Sequence, residues 1–114
     1  VPPDQTRDEA ALSRYFKRMV EAAGALTYQG DRARGWPDYF VFWSHVLDPR
    51  VHASTPVCGP MYPMIELIEL KDEQGSLEPM QEVIHERLHL RGHKVHVLRG
   101  REQVDRWLKL RGVI

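Results

Sequence analysis

Apolar residues repeat along the chain in two rhythms, and each change of rhythm marks an element. Leu12, Tyr15, Phe16, Met19, Val20 and Ala23 recur at steps of three and four, which predicts a helix with one buried stripe. Asp4 or Thr6 is placed to cap it, Pro2 and Pro3 oppose an earlier start, and Gly24 ends it. Ala25 to Tyr28 reads as a short strand. After a polar turn from Gln29 to Pro37, the aromatic and β-branched run Tyr39 to Val46 reads as a second strand. Leu47 to Pro63, with four prolines and Gly59, reads as a long connecting loop, a length uncommon without a role. Met64 to Leu70 is a third strand, and Asp72 to Gly75 a turn. A helix follows from an N-cap at Ser76 to about Leu90, with Pro79 tolerated in its first turn and Gly92 as its stop. Lys94 to Leu98 alternates as a strand. Arg101 to Leu110 closes the chain as a helix with Val104, Trp107 and Leu108 inward. The order α-β-β-loop-β-α-β-α predicts an α/β architecture, a mixed central sheet flanked by helices.

Length and composition bound this picture without altering it. The 114 residues make one domain, and 42% apolar content supports one core. No apolar run reaches the length of a membrane span, and the start lacks the basic-then-apolar pattern of a signal peptide, so neither is expected. Cys58 is the only cysteine, which excludes an internal disulfide and a cysteine-based zinc site and fits a reducing cytoplasm.

Net charge is zero, yet the charges are segregated. From Arg87 onward there are eight Lys or Arg against Glu102 and Asp105; from Leu47 to Glu86 there are eight acids against Arg50 and Lys71. An acidic middle and a basic tail suit a cation-binding centre beside a phosphate-contacting surface, although ordinary solvated charge gives the same counts.

Three residues stand out by position. Asp38 opens a strand directly after Gly35-Trp36-Pro37. Glu69 and Lys71 lie two apart near the end of the next strand, so alternation puts them on one face, with Ile68 and Leu70 on the other. If Asp38 lies beside them, two carboxylates and an ammonium converge at one sheet edge. Close carboxylates repel unless a cation joins them, and hard divalent metals use one or two carboxylates plus substrate phosphate.

Gly35-Trp36-Pro37-Asp38, Glu69-Leu70-Lys71 and Gln81 in the following helix resemble the VRR-NUC family, the virus-type replication-repair nuclease branch of the PD-(D/E)XK superfamily. That family's order is a Glu in the first helix, G-x-PD, E-x-K, a short Gly/Ser-containing turn, Gln, and a Gly-containing turn into a strand. Glu9, Asp38, Glu69, Gly75-Ser76, Gln81 and Gly92 fill those places in order, from roughly Asp8 to Leu98. The resemblance implies a PD-(D/E)XK restriction-endonuclease-like fold over residues 1–114. It also implies hydrolysis of DNA phosphodiester bonds with Mg2+ or Mn2+. In that scheme Asp38 and Glu69 are metal ligands with the Leu70 carbonyl as a third, Lys71 is the catalytic lysine, Glu9 an outer metal or water contact, and Gln81 a support. It further implies a homodimer acting on branched DNA, a Holliday junction or a flap, in replication or repair, and a bacterial or phage setting suits a stand-alone version. The segment from Ser44 to Pro63 looks longer than the family's usual connection. Arg32, Arg34, Arg87, Arg91 and Lys94 are the candidate phosphate contacts.

Simpler explanations stand beside these. Glu9 also fits a first-turn acid favoured by the helix dipole, Gln81 an exposed helix residue, and Lys71 a solvated strand end. A non-catalytic nucleic-acid-binding module explains the basic tail but leaves Asp38, Glu69 and Lys71 unused. His85-Glu86-Arg87-Leu88-His89 spells H-E-x-x-H, the zinc-protease signature. The extended form of that signature needs a third His where Val95 stands, and a Met-turn that the chain after Met80 lacks. Half-buried histidines flanking Ile84 and Leu88 fit better.

Overall fold

A computed structural model of the chain describes residues 5–30, 35–43 and 64–114, with side chains from Glu9 onward. The helical rhythm forms α1 (Gln5–Ala22), followed by β1 (Leu26–Gln29), β2 (Tyr39–Phe42) and β3 (Ile65–Lys71). Then come α2 (Pro79–Leu90), β4 (Val95–Arg99) and α3 (Gly100–Leu110). The sheet order is β1-β2-β3-β4, antiparallel between the first two pairs and parallel between β3 and β4. A parallel pair needs a crossover, and α2 supplies it. The expected α/β architecture is therefore observed: a mixed four-stranded sheet flanked by helices, a PD-(D/E)XK-like arrangement.

Strands β1, β3 and β4 each begin and end one residue later than expected, β2 ends at Phe42, and three helix starts differ as well. Thr6 lies inside α1, which starts at Gln5, so it does not cap that helix. The N-cap of α2 is Glu78, not Ser76, and the helix opens on Pro79. Pro79 has no N–H to leave unpaired, and the Glu78 N–H is met by Gln81 Oε1 at 2.9 Å, the reciprocal half of a capping box. The last helix begins at Gly100, one residue before Arg101. The expected cap Asp4, the loop 47–63, the expected strand end 44–46, and Arg32 and Arg34 lie outside the described residues.

Alternation decides what each sheet face does. Tyr39, Val41, Ile68, Leu70 and Leu98 turn to one side, where Phe16 and Val20 of α1 and Val104, Trp107 and Leu108 of α3 complete a core with Leu12 and Trp43. Phe16 is its hub, with ring centroids 5.4 Å from Tyr39 and 5.5 Å from Trp107. Leu67 and Glu69 turn the other way, toward α2. Farther out, Leu26, Phe42 and Ile65 sit opposite one another across β1, β2 and β3 and stay exposed.

One acid sits on the core face. Glu66 is buried and accepts from Trp43 Nε1 at 2.7 Å and from Arg111 Nε at 2.8 Å, with Arg111 Nη2 on its second oxygen and His96 Nε2 3.4 Å away. Burial alone would raise its carboxyl pKa, but the donors Arg111, His96 and Trp43 outweigh it and bring the value down to about 2 from 4.5. Arg111 follows α3, so this fork ties the chain end to the central strand. Arg111→Ala is expected to cost roughly 3–5 kcal/mol, because it strands a buried charge, measured as a lower urea midpoint. Since the folded value is depressed, Glu66's contribution is present above pH 4.5 and fades as pH falls toward about 2. Urea titrations across that window should show wild type losing stability that Glu66→Gln does not lose.

Candidate active site

The site grows from the β2–β3 ladder. Tyr39 pairs with Ile68, so the residue just before β2 lies beside the end of β3. There the Leu70 N–H donates to Asp38 Oδ2 at 2.9 Å, and the Asp38 carbonyl accepts from the Gly30 N–H at 2.9 Å. Asp38 is thus held at both backbone and side chain. Its motif glycine has a physical reason. Gly35 has φ of +88°, and a Cβ there would lie 2.5 Å from the Met80 carbonyl oxygen and 2.9 Å from Ile84 Cγ1. The turn before Asp38 presses directly against the backbone of α2.

Glu69 is almost wholly buried, at 1% exposure, on the α2 side of β3. Gln81 Nε2 donates to its Oε1 at 3.1 Å while the other end of the same amide caps α2. Burial first, and the hydrogen-bonding closeness and charge of Asp38 second, push the Glu69 carboxyl up to about 9; Lys71 opposes this and Glu9 adds to it. Glu9 itself is half-buried, its carboxyl raised by burial, lowered by Lys71, and raised again by Asp38 and Asp72. It therefore lies within the field of the same cluster rather than only at a helix end. Just past β3, the Asp72–Gly75 turn forms as expected, with Gln74 N–H on Asp72 Oδ1 at 2.9 Å.

Glu9, Asp38, Glu69, Lys71 and Gln81 are thus brought together. Leu70 takes part through its backbone, because its side chain is in the core. Arg87, Arg91 and Lys94 are exposed and lie toward the far end of α2, roughly 15 Å along the helix from Gln81 to Arg91. Other cations of the basic tail are engaged internally: Arg111 on Glu66, Arg99 Nε on the Gly75 carbonyl at 2.8 Å, and Arg101 over the Tyr15 ring at 3.4 Å. The tail is therefore not one continuous phosphate-facing stripe.

Sequence reasoning left one neighbour out. His85 Nε2 lies 3.8 Å from Glu69 Oε1, buried and without a hydrogen-bond partner among the described residues. Burial lowers the His85 pKa, Lys71 lowers it further, and Asp38 opposes. Glu86 and His89 are exposed, and no metal-holding group of three or more His, Cys, Asp or Glu forms among the described residues. The signal for His85 was its place one helical turn after Gln81, hidden behind the zinc signature.

A solved structure described as a VRR_NUC domain superposes with a TM-score of 0.66 at 28% identity, over 90% of this chain and 95% of that one. The chain has the fold of a VRR_NUC domain. The resemblance read from its motifs stands on that superposition. No family model matches the chain, and no curated protein matches it. For this VRR_NUC-like chain a nuclease-type domain is the supported assignment.

The donor chemistry of the site fits a hard divalent cation. Two carboxyls stand close enough to perturb each other, one of them buried, and the charge of Lys71 does not offset the penalty on ionising Glu69. Among the described residues no three His, Cys, Asp or Glu side chains group at metal-holding distances. A cation there would rest on Asp38 and Glu69, with backbone carbonyl, water or phosphate completing its shell, as Mg2+ and Mn2+ accept.

Two outcomes are expected. Gly35→Ala should lower thermal stability by roughly 2 kcal/mol or more, since it adds left-handed strain to a clash with α2. The Glu69 value is raised in the folded state, so its contribution is fully present below pH 4.5 and is lost as pH rises toward about 9. Chelator-treated wild type should therefore lose melting temperature over that range. Mg2+ should restore it at the alkaline end, and Glu69→Gln should remove both effects.

Proposed function

We propose that this chain is a Mg2+- or Mn2+-dependent deoxyribonuclease that cuts phosphodiester bonds within branched DNA, a Holliday junction or a flap, during replication or repair. The observation that carries the reading is the buried Glu69 carboxyl beside Asp38, with Lys71 on the same strand and face. When bound, the cation supplies Lewis-acid stabilisation of a phosphate oxygen and a more acidic water. Asp38 and Glu69 provide its anionic seat, and the rigid ladder around Asp38 fixes that seat to the strand ends. The Lys71 ammonium faces the charge that develops on the phosphate and holds the attacking water in line. Glu9 orients water from the α1 side, and Gln81 fixes the Glu69 rotamer.

Arg87, Arg91 and Lys94 hold the duplex away from the scissile bond through its phosphates, a sequence-independent contact. Pairing of two copies, one cut from each, follows from the family resemblance and is supported by the exposed Leu26, Phe42 and Ile65 row. No helix among the described residues is long and apolar enough to cross a membrane.

The test is cleavage of labelled junctions, flaps and linear duplex with Mg2+ or Mn2+. Nicking should vanish with chelator and drop by ~100-fold or more in Lys71→Ala, while DNA binding persists. Cleavage confined to linear duplex, or indifferent to Lys71, would discard the proposal. Replacing Arg87, Arg91 and Lys94 together by Ala should weaken binding and flatten its salt dependence, by about one unit of slope for each phosphate that these cations neutralise.

A further inference from the structure

We infer that His85 is a positioning residue for Glu69, donating its Nε2–H to Glu69 Oε1 when that carboxylate is ionised against a cation. The inference rests on the metal-centre reading above and names a residue outside the family motifs. Glu69 Oε1 already accepts from Gln81 Nε2 at 3.1 Å, and a carboxylate oxygen has room for a second donor. His85 Nε2 is 3.8 Å from that same oxygen, inside the protein, with no other partner among the described residues. Gln81 and His85 lie one turn apart on α2, so both project from the face that packs on β3. α2 is held in phase by the Gln81 cap and by the close approach of Gly35 to Met80.

With a small approach of His85, both donors would meet at the one Glu69 oxygen that Gln81 already holds, leaving the second oxygen free for the cation. Carboxylates that bind metals depend on such outer hydrogen bonds, whose removal typically weakens metal affinity by 10–100-fold. A second donor also keeps the carboxylate from turning its helix-side oxygen to the ion. The exposed Glu86 and His89 play no part in this clamp.

Mn2+ titration of the DNA-free protein, followed by the electron-spin signal of the free ion, tests the inference without reference to activity. His85→Leu should weaken binding by about tenfold or more with circular dichroism unchanged. His85→Gln, which returns an N–H at similar reach, should recover most of that affinity. Histidine-ring nitrogen NMR of wild type with Mg2+ should show His85 protonated at Nε2. This readout holds even if a variant does not fold. Wild-type affinity in His85→Leu, with binding abolished in Asp38→Asn, overturns the role of His85 alone. Unchanged affinity in Asp38→Asn as well removes the metal centre itself. An unprotonated Nε2, or His85→Gln as weak as His85→Leu, overturns donation to Glu69.

Discussion

The structure depends on a carboxyl that its surroundings do not favour as an anion. Glu69 is buried on the central strand, beside Asp38, with Gln81 as its hydrogen-bond donor. A fold does not place an acid there to gain stability, since burial and a neighbouring like charge both penalise its ionised form. The scaffold holds the arrangement in place. Asp38 is locked by the β2–β3 ladder, α2 is seated by Gly35, and the amide that grips Glu69 also caps the helix. These contacts position the carboxyls to which the proposed function assigns the chemistry.

Strand β3 presents two buried acids, and its two faces treat them in opposite ways. Glu66 faces the core, where Arg111, Trp43 and His96 satisfy it and depress its pKa. Glu69 faces α2, where burial and Asp38 raise its pKa. They lie three positions apart, an odd offset, so the pleat sends them to opposite sides of the sheet. The first is a tie between the chain end and the sheet, complete within the protein. The second has one donor, Gln81, and a neighbouring acid that opposes its ionisation, the kind of perturbed carboxyl on which the proposed function rests.

The charged tail shows why segment counts mislead. Its arginines are close in sequence but radiate from α2, β4 and α3. Arg111 is drawn inward by Glu66, Arg101 stacks on Tyr15, and Arg99 fixes the turn after Lys71 at Gly75. Each makes its contact within the chain. The exposed cations at the end of α2, Arg87 and Arg91, and Lys94 beyond it are open to phosphate, as are the exposed Arg106 and Lys109 on α3.

Much was legible from local rules. Apolar periodicity marked every element, and strand alternation correctly put Glu69 and Lys71 opposite Ile68 and Leu70. The ordered motifs pointed to the fold that superposition supports. These features depend on neighbours within a few residues, where helix and strand periods apply. Other features needed the tertiary structure. The cap of α2 moved to Glu78 because Gln81 reaches back to it. Gly35 is required by a helix that comes much later in the chain. Glu66 was indistinguishable from a surface acid until Arg111 met it, and His85 was masked by a zinc signature until α2 was rotated onto Glu69. Sequence specifies which atoms alternate or repeat; only packing between distant elements decides which buried polar atoms find partners and which are left facing a site.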